Sequence, residues 1–189
     1  MDEEIDKQLV KRYLEGDESA FPELLQRHLK SVYNFLYHIV HDQSALDDLT
    51  QETFVKAWKN LKRFDQSKKF RTWLFTIAKN TAFDYLKKKK SIPFSNFLDA
   101  EGYSKLEQIS DEALLSDELL ALAGDKANLE KELQQISEHY RAILLMHYQD
   151  DLSLNEVAAI LGKPYNTVKS SHARALASLR KILITKDGK

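Results

Sequence analysis

Between Phe70 and Lys90 the chain reads FRTWLFTIAKNTAFDYLKKKK, which puts aromatic rings, an amide and four consecutive lysines on one stretch with helical spacing. Aromatic faces stack on unpaired bases, Asn80 can hydrogen-bond a base edge, and Lys87 to Lys90 can neutralise phosphates, so the needs of single-strand DNA capture meet here. The same composition fits a buried helix with a solvated basic end, and the segment alone leaves both readings open. A second chemically sorted stretch lies upstream. From Ser44 to Leu61, the residues Leu46, Leu49, Thr53, Ala57 and Leu61 recur on one helical stripe, while Asp48, Gln51, Glu52, Val55 and Lys59 fall on the other. The second stripe is either a solvated face or a docking surface for a partner helix.

Catalytic constellations are missing from the sequence. It has no Gly-rich phosphate loop, no Ser-His-acid arrangement in a structural context and no HExxH, so an enzymatic reading lacks a nucleophile, a metal and a cofactor. His38 and His41 beside Asp42 have no ligand spacing and read as helix-end residues. The chain contains no cysteine, which excludes disulfides and thiolate zinc sites and fits a reducing cytoplasm. No window approaches the roughly 18 apolar residues of a membrane span, and the acidic start MDEEIDKQLV lacks a signal-peptide core. A cytoplasmic protein without membrane insertion is expected.

The elements that must position these residues are helices. In 189 residues there are five Gly and three Pro, and apolar residues recur three and four apart almost throughout, so the fold class is all-α. A first helix should run from Glu3 to Leu14 and stop near Gly16. A second is expected to begin after Asp17 or Ser19, and a further one to pass through Val32, Phe35, Leu36 and Ile39. The next opens at Ser44 with Asp47 three residues on, as a weak capping arrangement.

Charge divides the chain further, although the net charge is only −1. Residues 62–90 carry ten bases against two acids, 99–138 eleven acids against three bases, and 162–189 seven bases against one acid. Two basic segments separated by an acidic one fit two DNA-contacting surfaces joined by a spacer. Two small helical domains are therefore expected, 1–92 and 127–189, joined by an acidic linker over 93–126 with a short helix near Ala113 to Leu122.

The C-terminal domain carries a helix-turn-helix pattern. Ser153-Leu154-Asn155-Glu156 is a capping box, Val157, Ala158 and Leu161 are apolar at helical spacing, Gly162 permits a tight turn, and Pro164 restarts a helix carrying Val168. On that second helix Asn166, Lys169, Ser170, Ala173 and Arg174 share an outward face suited to a major groove, while Val168, Ala175, Leu176 and Leu179 point inward. His172 reads as a partly buried, hydrogen-bonded histidine.

Taken in order, Asp47-Asp48-Leu49-Thr50-Gln51-Glu52-Thr53-Phe54, Phe70-Arg71-Thr72-Trp73-Leu74, Ile77-Ala78-Lys79-Asn80 and Thr167-Val168-Lys169-Ser170 resemble the extracytoplasmic-function sigma factors, group IV of the sigma-70 family. The resemblance covers nearly the whole chain and implies two domains, region 2 over 1–92 and region 4 over 127–189. It implies a non-enzymatic, cofactor-free bacterial initiation subunit that binds core RNA polymerase and directs it to promoters. Asp47, Asp48, Gln51, Glu52 and Val55 would dock on the β′ clamp helices. Phe64, Asp65, Lys68, Phe70, Trp73, Ile77 and Asn80 would read and open the −10 element, with residues 65–69 as the wall of a flipped-base pocket. Trp73, Ile77, Asn80 and Asp84 share one helical stripe.

By the same resemblance, Asn166, Lys169, Ser170, Ala173 and Arg174 would read the −35 duplex, and the opposite surface of that domain would meet the β flap. An anti-sigma factor is an expected partner beside promoter DNA and core polymerase. Ile136-Ser137 stands where Leu-Pro is common, Asn166 where Gly often precedes Thr-Val-Lys-Ser, and Ser171 where Arg is frequent, so one −35 contact is expected to be lost. The alternative is a stand-alone helix-turn-helix regulator, which leaves the ordered motifs from Asp47 to Asn80 unexplained.

Overall fold

The computed structural model describes residues 2–90 and 131–187, and every regular element among them is helical. Contacts divide the chain into two units. One holds the helices of residues 2–90 together with 155–163, which the sequence places in the C-terminal domain; the other holds the described remainder. The expected linker, 93–126, and its short helix lie outside the described residues.

Helix α1 (Asp2–Leu14) opens on Asp2, Glu3 and Glu4 and closes on Lys11 and Arg12, a charge order that complements its dipole. It ends in a left-handed glycine cap. Gly16 has φ +106°, its N–H donates to the Tyr13 carbonyl, and the Asp17 N–H reaches back to Arg12.

The stretch expected as two helices is a single one, α2 (Ala20–Val40). Its only Pro, Pro22, lies in the first turn, where a backbone N–H has no intrahelical partner to lose, and no Gly or Pro follows before residue 41. Leu24, His28, Val32, Phe35, Leu36 and Ile39 form its buried stripe. His41 terminates it in the left-handed region, φ 51°, with its N–H on Tyr37.

Helix α3 (Leu46–Asn60) starts two residues later than expected, because Gln43–Ala45 form a separate 3₁₀ turn. Asp42, rather than Ser44, supplies the capping oxygen, accepting from both the amide and the hydroxyl of Ser44. The stripe Leu46, Leu49, Thr53, Ala57 and Leu61 is buried throughout. A 3₁₀ turn (Leu61–Arg63) and a short loop lead to α4 (Phe70–Lys90). Helix α2 packs on α1, α3 and α4, and α3 packs on α4. At the centre, the rings of Phe35 and Phe75 lie 5.4 Å apart, both fully buried. Each such ring contributes about 1.5–3 kcal/mol by burial.

In the second unit, α5 (Glu138–Leu144) is capped by Ser137, whose hydroxyl accepts from the Tyr140 amide, so Ser137 has its own local use where Leu-Pro is common. A π-helical turn follows (Leu145–Gln149). Arg141 is buried and donates to the carbonyls of Leu133, Gln134 and Ile136, which fixes the approach to α5. Burial pushes its guanidinium below the ordinary value, opposed by the negative charge of Glu138, while the carbonyls accept its N–H groups. Tyr140 and Leu144 form a core with Ala175, Leu176, Leu179 and Leu183 of the last helix.

Between α5 and the last helix in sequence comes α6 (Leu154–Leu161), whose residues from 155 on fall in the first unit, and it ends as the sequence predicts. Gly162 has φ +64° and donates to Ala159, Lys163 donates to Ala158, and the Pro164 carbonyl then accepts from Thr167 and Val168 to start α7 (Tyr165–Asp187). Open space surrounds a Cβ at Gly162, so the residue is selected by backbone conformation and not by crowding. No described helix is long and apolar enough to cross a membrane.

Candidate nucleic-acid and protein interfaces

With one stripe of α3 buried against α2 and α4, the other is left outward. Asp47, Asp48, Gln51, Glu52 and Val55 are all exposed, and they are joined by a residue absent from the sequence expectation, Trp58, at 51% exposure. Trp58 lies three residues after Val55 and seven after Gln51, so the helical stripe itself was the available signal. Beside the stripe runs a groove of about 800 Å³ between α2 and α3, walled by Leu25, Leu29 and Tyr33 on one side and Phe54, Val55 and Trp58 on the other. The half-exposed Leu29 and Trp58 make this an apolar strip, with Asp47 and Lys30 as the charged residues of its lining, a form suited to a protein partner. The buried Thr50 hydroxyl, in the same wall, makes no hydrogen bond within the described structure.

The loop before α4 is preorganised by Asp65. Its carboxylate accepts from the Ser67 hydroxyl and amide, interactions that hold it below the ordinary carboxylate range, and the Lys68 amide closes the turn onto the Asp65 carbonyl. Asp65 and Lys68 are exposed. Phe64 and Phe70 are instead buried, and with Trp73 they form a three-ring cluster with centroids 5.0, 5.6 and 5.9 Å apart. Two of the three aromatic side chains expected at the strand-reading site thus stand behind it. Trp73 and Ile77 are half-buried, and Asn80 and Asp84 are exposed along the same stripe.

The lysine block at the end of α4 is not uniform. Lys89 donates to Asp42 at 2.6 Å, and the Tyr85 hydroxyl donates to the same oxygen, also at 2.6 Å. Lys89, Ser44 and Tyr85 together hold the Asp42 carboxyl well below its ordinary range. Asp42 therefore ties the end of α4 to the α2–α3 junction and occupies one of the four lysines. Upstream, burial depresses the Lys79 ammonium, whereas Lys87 and Lys88 are exposed.

On α7, Asn166, Lys169 and Ser170 are exposed and Ala173 and Arg174 half-exposed, while Val168, Ala175, Leu176 and Leu179 are buried. The Ser170 hydroxyl donates back to the Asn166 carbonyl at 2.9 Å. Ser171 is buried, so its side chain belongs to the inward face and not to the groove-reading one. His172 is fully buried, with Nε2 3.1 Å from the Tyr148 hydroxyl.

Comparison with known proteins adds to this geometry. Residues 24–92 match the family model described as Sigma-70 region 2, and residues 126–179 match Sigma-70, region 4. The ECF RNA polymerase sigma factor SigW of Bacillus subtilis (strain 168) is 30% identical over 182 residues, covering 94% of this chain and 96% of the relative. Among solved structures, CnrH in complex with the cytosolic domain of CnrY has a TM-score of 0.68 at 25% identity, covering 96% of this chain and 98% of that one. The sigma factor RpoE in complex with the anti-sigma factor NepR from Bartonella quintana shares the fold, with a TM-score of 0.63 at 24% identity over 86% of this chain and 96% of that one.

Proposed function

The chain belongs to the extracytoplasmic-function sigma factors of the sigma-70 family, and from that premise we propose how its exposed faces divide the work of transcription initiation. As an RNA polymerase sigma factor it acts in promoter-directed initiation, with phosphodiester synthesis left to the polymerase. The outward face of α3, Asp47, Asp48, Gln51, Glu52 and Val55, docks on the β′ clamp helices of core enzyme, and Trp58 with the adjoining groove extends that surface. Acidic residues around an apolar strip give both steering and a buried anchor.

The stripe Trp73, Ile77 and Asn80, with Asp65 and Lys68 on the preceding loop, engages the −10 element as it opens. Flipping a base costs a few kcal/mol of stacking, which the strand recovers by stacking and edge hydrogen bonds on the protein. Phe64 and Phe70 serve by backing Trp73. On α7, Lys169, Arg174, Asn166, Ser170 and Ala173 form the −35 reading face, and the opposite surface of that domain meets the β flap. Residues 1–92 act as region 2 and 127–189 as region 4, with 93–126 between them. CnrH and RpoE were each solved with a protein partner. We infer that an anti-sigma factor regulates this chain too, and that it works beside polymerase in the bacterial cytoplasm without a cofactor.

The single observation that carries the reading is the presence of both regions in order along one chain. A stand-alone helix-turn-helix regulator would not need the first. Run-off transcription sequencing on bacterial genomic DNA, with sigma-free core polymerase plus or minus the protein, tests it. Discrete new starts sharing spaced −35 and −10 sequences are expected. No new starts from folded protein, beside a working control sigma factor, would refute it.

A further inference from the structure

One carboxylate of α1 lies inside the first unit. Asp6 is buried, and because a carboxylate can only accept, the Nε2 of His28 on α2 donates to it at 2.8 Å while the Nε of Arg27 donates to its other oxygen at 3.0 Å. Arg27 also pairs with Asp2 at 3.0 Å, so it does not depend on Asp6 alone. An apolar pair of similar volume at such a contact is often just as stable. What the hydrogen bond adds is direction, because it holds the imidazole in one orientation.

The ring held in this way is packed on Phe70, the first residue of α4, with centroids 5.4 Å apart and planes inclined by 52°. Phe70 lies 5.6 Å from Trp73 and 5.9 Å from Phe64, which is itself 5.0 Å from Trp73. All four separations fall in the roughly 4.5–7 Å range of attractive ring pairs. His28, Phe64 and Phe70 are buried and Trp73 is half-buried, so the series runs from the interior outward and ends on the indole assigned to the strand. A second tie between α1 and the start of α4, Lys69 with Glu3 at 3.2 Å, lies at the surface, where solvent weakens it.

We propose that Asp6 and His28 are positioning residues for Trp73: the carboxylate fixes the imidazole, the imidazole seats Phe70, and Phe70 with Phe64 holds the indole where it meets the opened −10 strand. This rests on the engagement of the −10 element by Trp73, and it gives α1 a share in promoter opening without any contact with DNA. With the series broken, ordering of the indole falls to strand capture itself, which slows opening.

The test uses the full chain with core polymerase on a promoter found by run-off sequencing. His28→Gln keeps a donor for Asp6 and loses the ring. The loss of one ring contact corresponds to about two- to twelvefold, so opening, followed by permanganate reactivity of the −10 strand, should slow by about fivefold while closed-complex affinity stays within about twofold. A role through Trp73 also requires non-additivity: in a Trp73→Ala background, His28→Gln should slow opening by less than about twofold further. Asp6→Ala should slow opening as His28→Gln does, and Asp6→Asn, whose amide oxygen still accepts from the imidazole, should recover most of the loss. In the free chain carrying Trp58→Phe, Trp73 is the one tryptophan left. Its quenching by acrylamide should rise with His28→Gln and with Asp6→Ala, and much less with Asp6→Asn.

Losses that multiply in the Trp73→Ala background, equal losses in opening and closed-complex formation, or unchanged quenching would overturn the proposal and leave the pair a matter of stability alone. Should His28→Gln fail to fold, Asp6→Ala against Asp6→Asn decides, and equal opening by the two would overturn it. If wild-type holoenzyme makes specific starts while these signals fail, only the positioning role falls. If it makes none, the sigma reading itself falls.

Discussion

Replacing Trp58 with alanine separates a docking surface from a solvated helix face. The indole is 51% exposed in the free chain. A tryptophan presents up to about 250 Å², so full coverage by a partner would remove roughly 125 Å² more from water, equivalent to about 3 kcal/mol at 25 cal/mol per Å². That corresponds to somewhat over a hundredfold in the dissociation constant for core polymerase. The half already packed against the groove should cost the fold about 2 kcal/mol, half the usual penalty for truncating a buried aromatic, leaving the protein folded at room temperature. Fluorescence-anisotropy titration of labelled protein with sigma-free core enzyme measures the first quantity, and urea unfolding the second. An affinity within twofold of wild type, with the stability loss present, would refute Trp58 as an anchor and return α3 to a solvated face.

Asp48→Arg combined with Glu52→Arg should abolish core association while helicity by circular dichroism stays unchanged; retained affinity would count against the assigned face. Asn80→Ala and Trp73→Ala should impair promoter opening, read by permanganate reactivity of the −10 strand, at least tenfold more than closed-complex formation, whereas equal loss in both would mean they act only through packing. Asp6 is buried and bonded to His28 at 2.8 Å and Arg27 at 3.0 Å. Burial alone would raise its carboxyl, but His28 and Arg27 outweigh that and hold it below the ordinary value of 3.8. The stabilisation is therefore complete above about pH 4 and is lost as pH falls through the depressed native value. Because Arg27 is partly exposed and keeps its pair with Asp2, Asp6→Asn should cost roughly 1–3 kcal/mol at pH 7 and flatten the acid limb of a stability–pH curve; an unaltered acid limb would mean another carboxylate controls it.

What the sequence made legible was periodicity. The five inward positions of α3, the inward set Val168, Ala175, Leu176 and Leu179, and the turn at Gly162 all follow from helical spacing and from one residue able to adopt positive φ. Interactions between distant residues were not legible. Asp42 capping Ser44 while accepting from Lys89, 47 residues away, alters both a helix start and the charge of a lysine block, and no local pattern announces it. The same holds for Phe64 and Phe70: aromatic composition points to stacking, but only packing shows that these two rings are buried against each other and against the half-buried Trp73, leaving Asn80 exposed.

The close packing of α3 on α4 gives the two proposed interfaces a common mechanical base. Thr53 and Ala57 are fully buried, and small side chains at such positions let the two helix backbones approach. Lys56 then crosses between the helices, pairing with Glu52 of the docking face at 2.7 Å and donating to the Thr81 hydroxyl of α4 at 3.1 Å, one residue beyond Asn80. A partner bound on Glu52 would thus be two contacts away from the helix proposed to read the strand. Because buried helices resist deformation, orienting α3 on the polymerase also orients Trp73, Ile77 and Asn80, with no hinge required between docking and reading. Preorganisation of this kind lowers the ordering cost of strand capture once α3 is docked. It gives a physical reason for the proposed protein-binding stripe and the proposed strand-reading stripe to lie on neighbouring helices of one small unit.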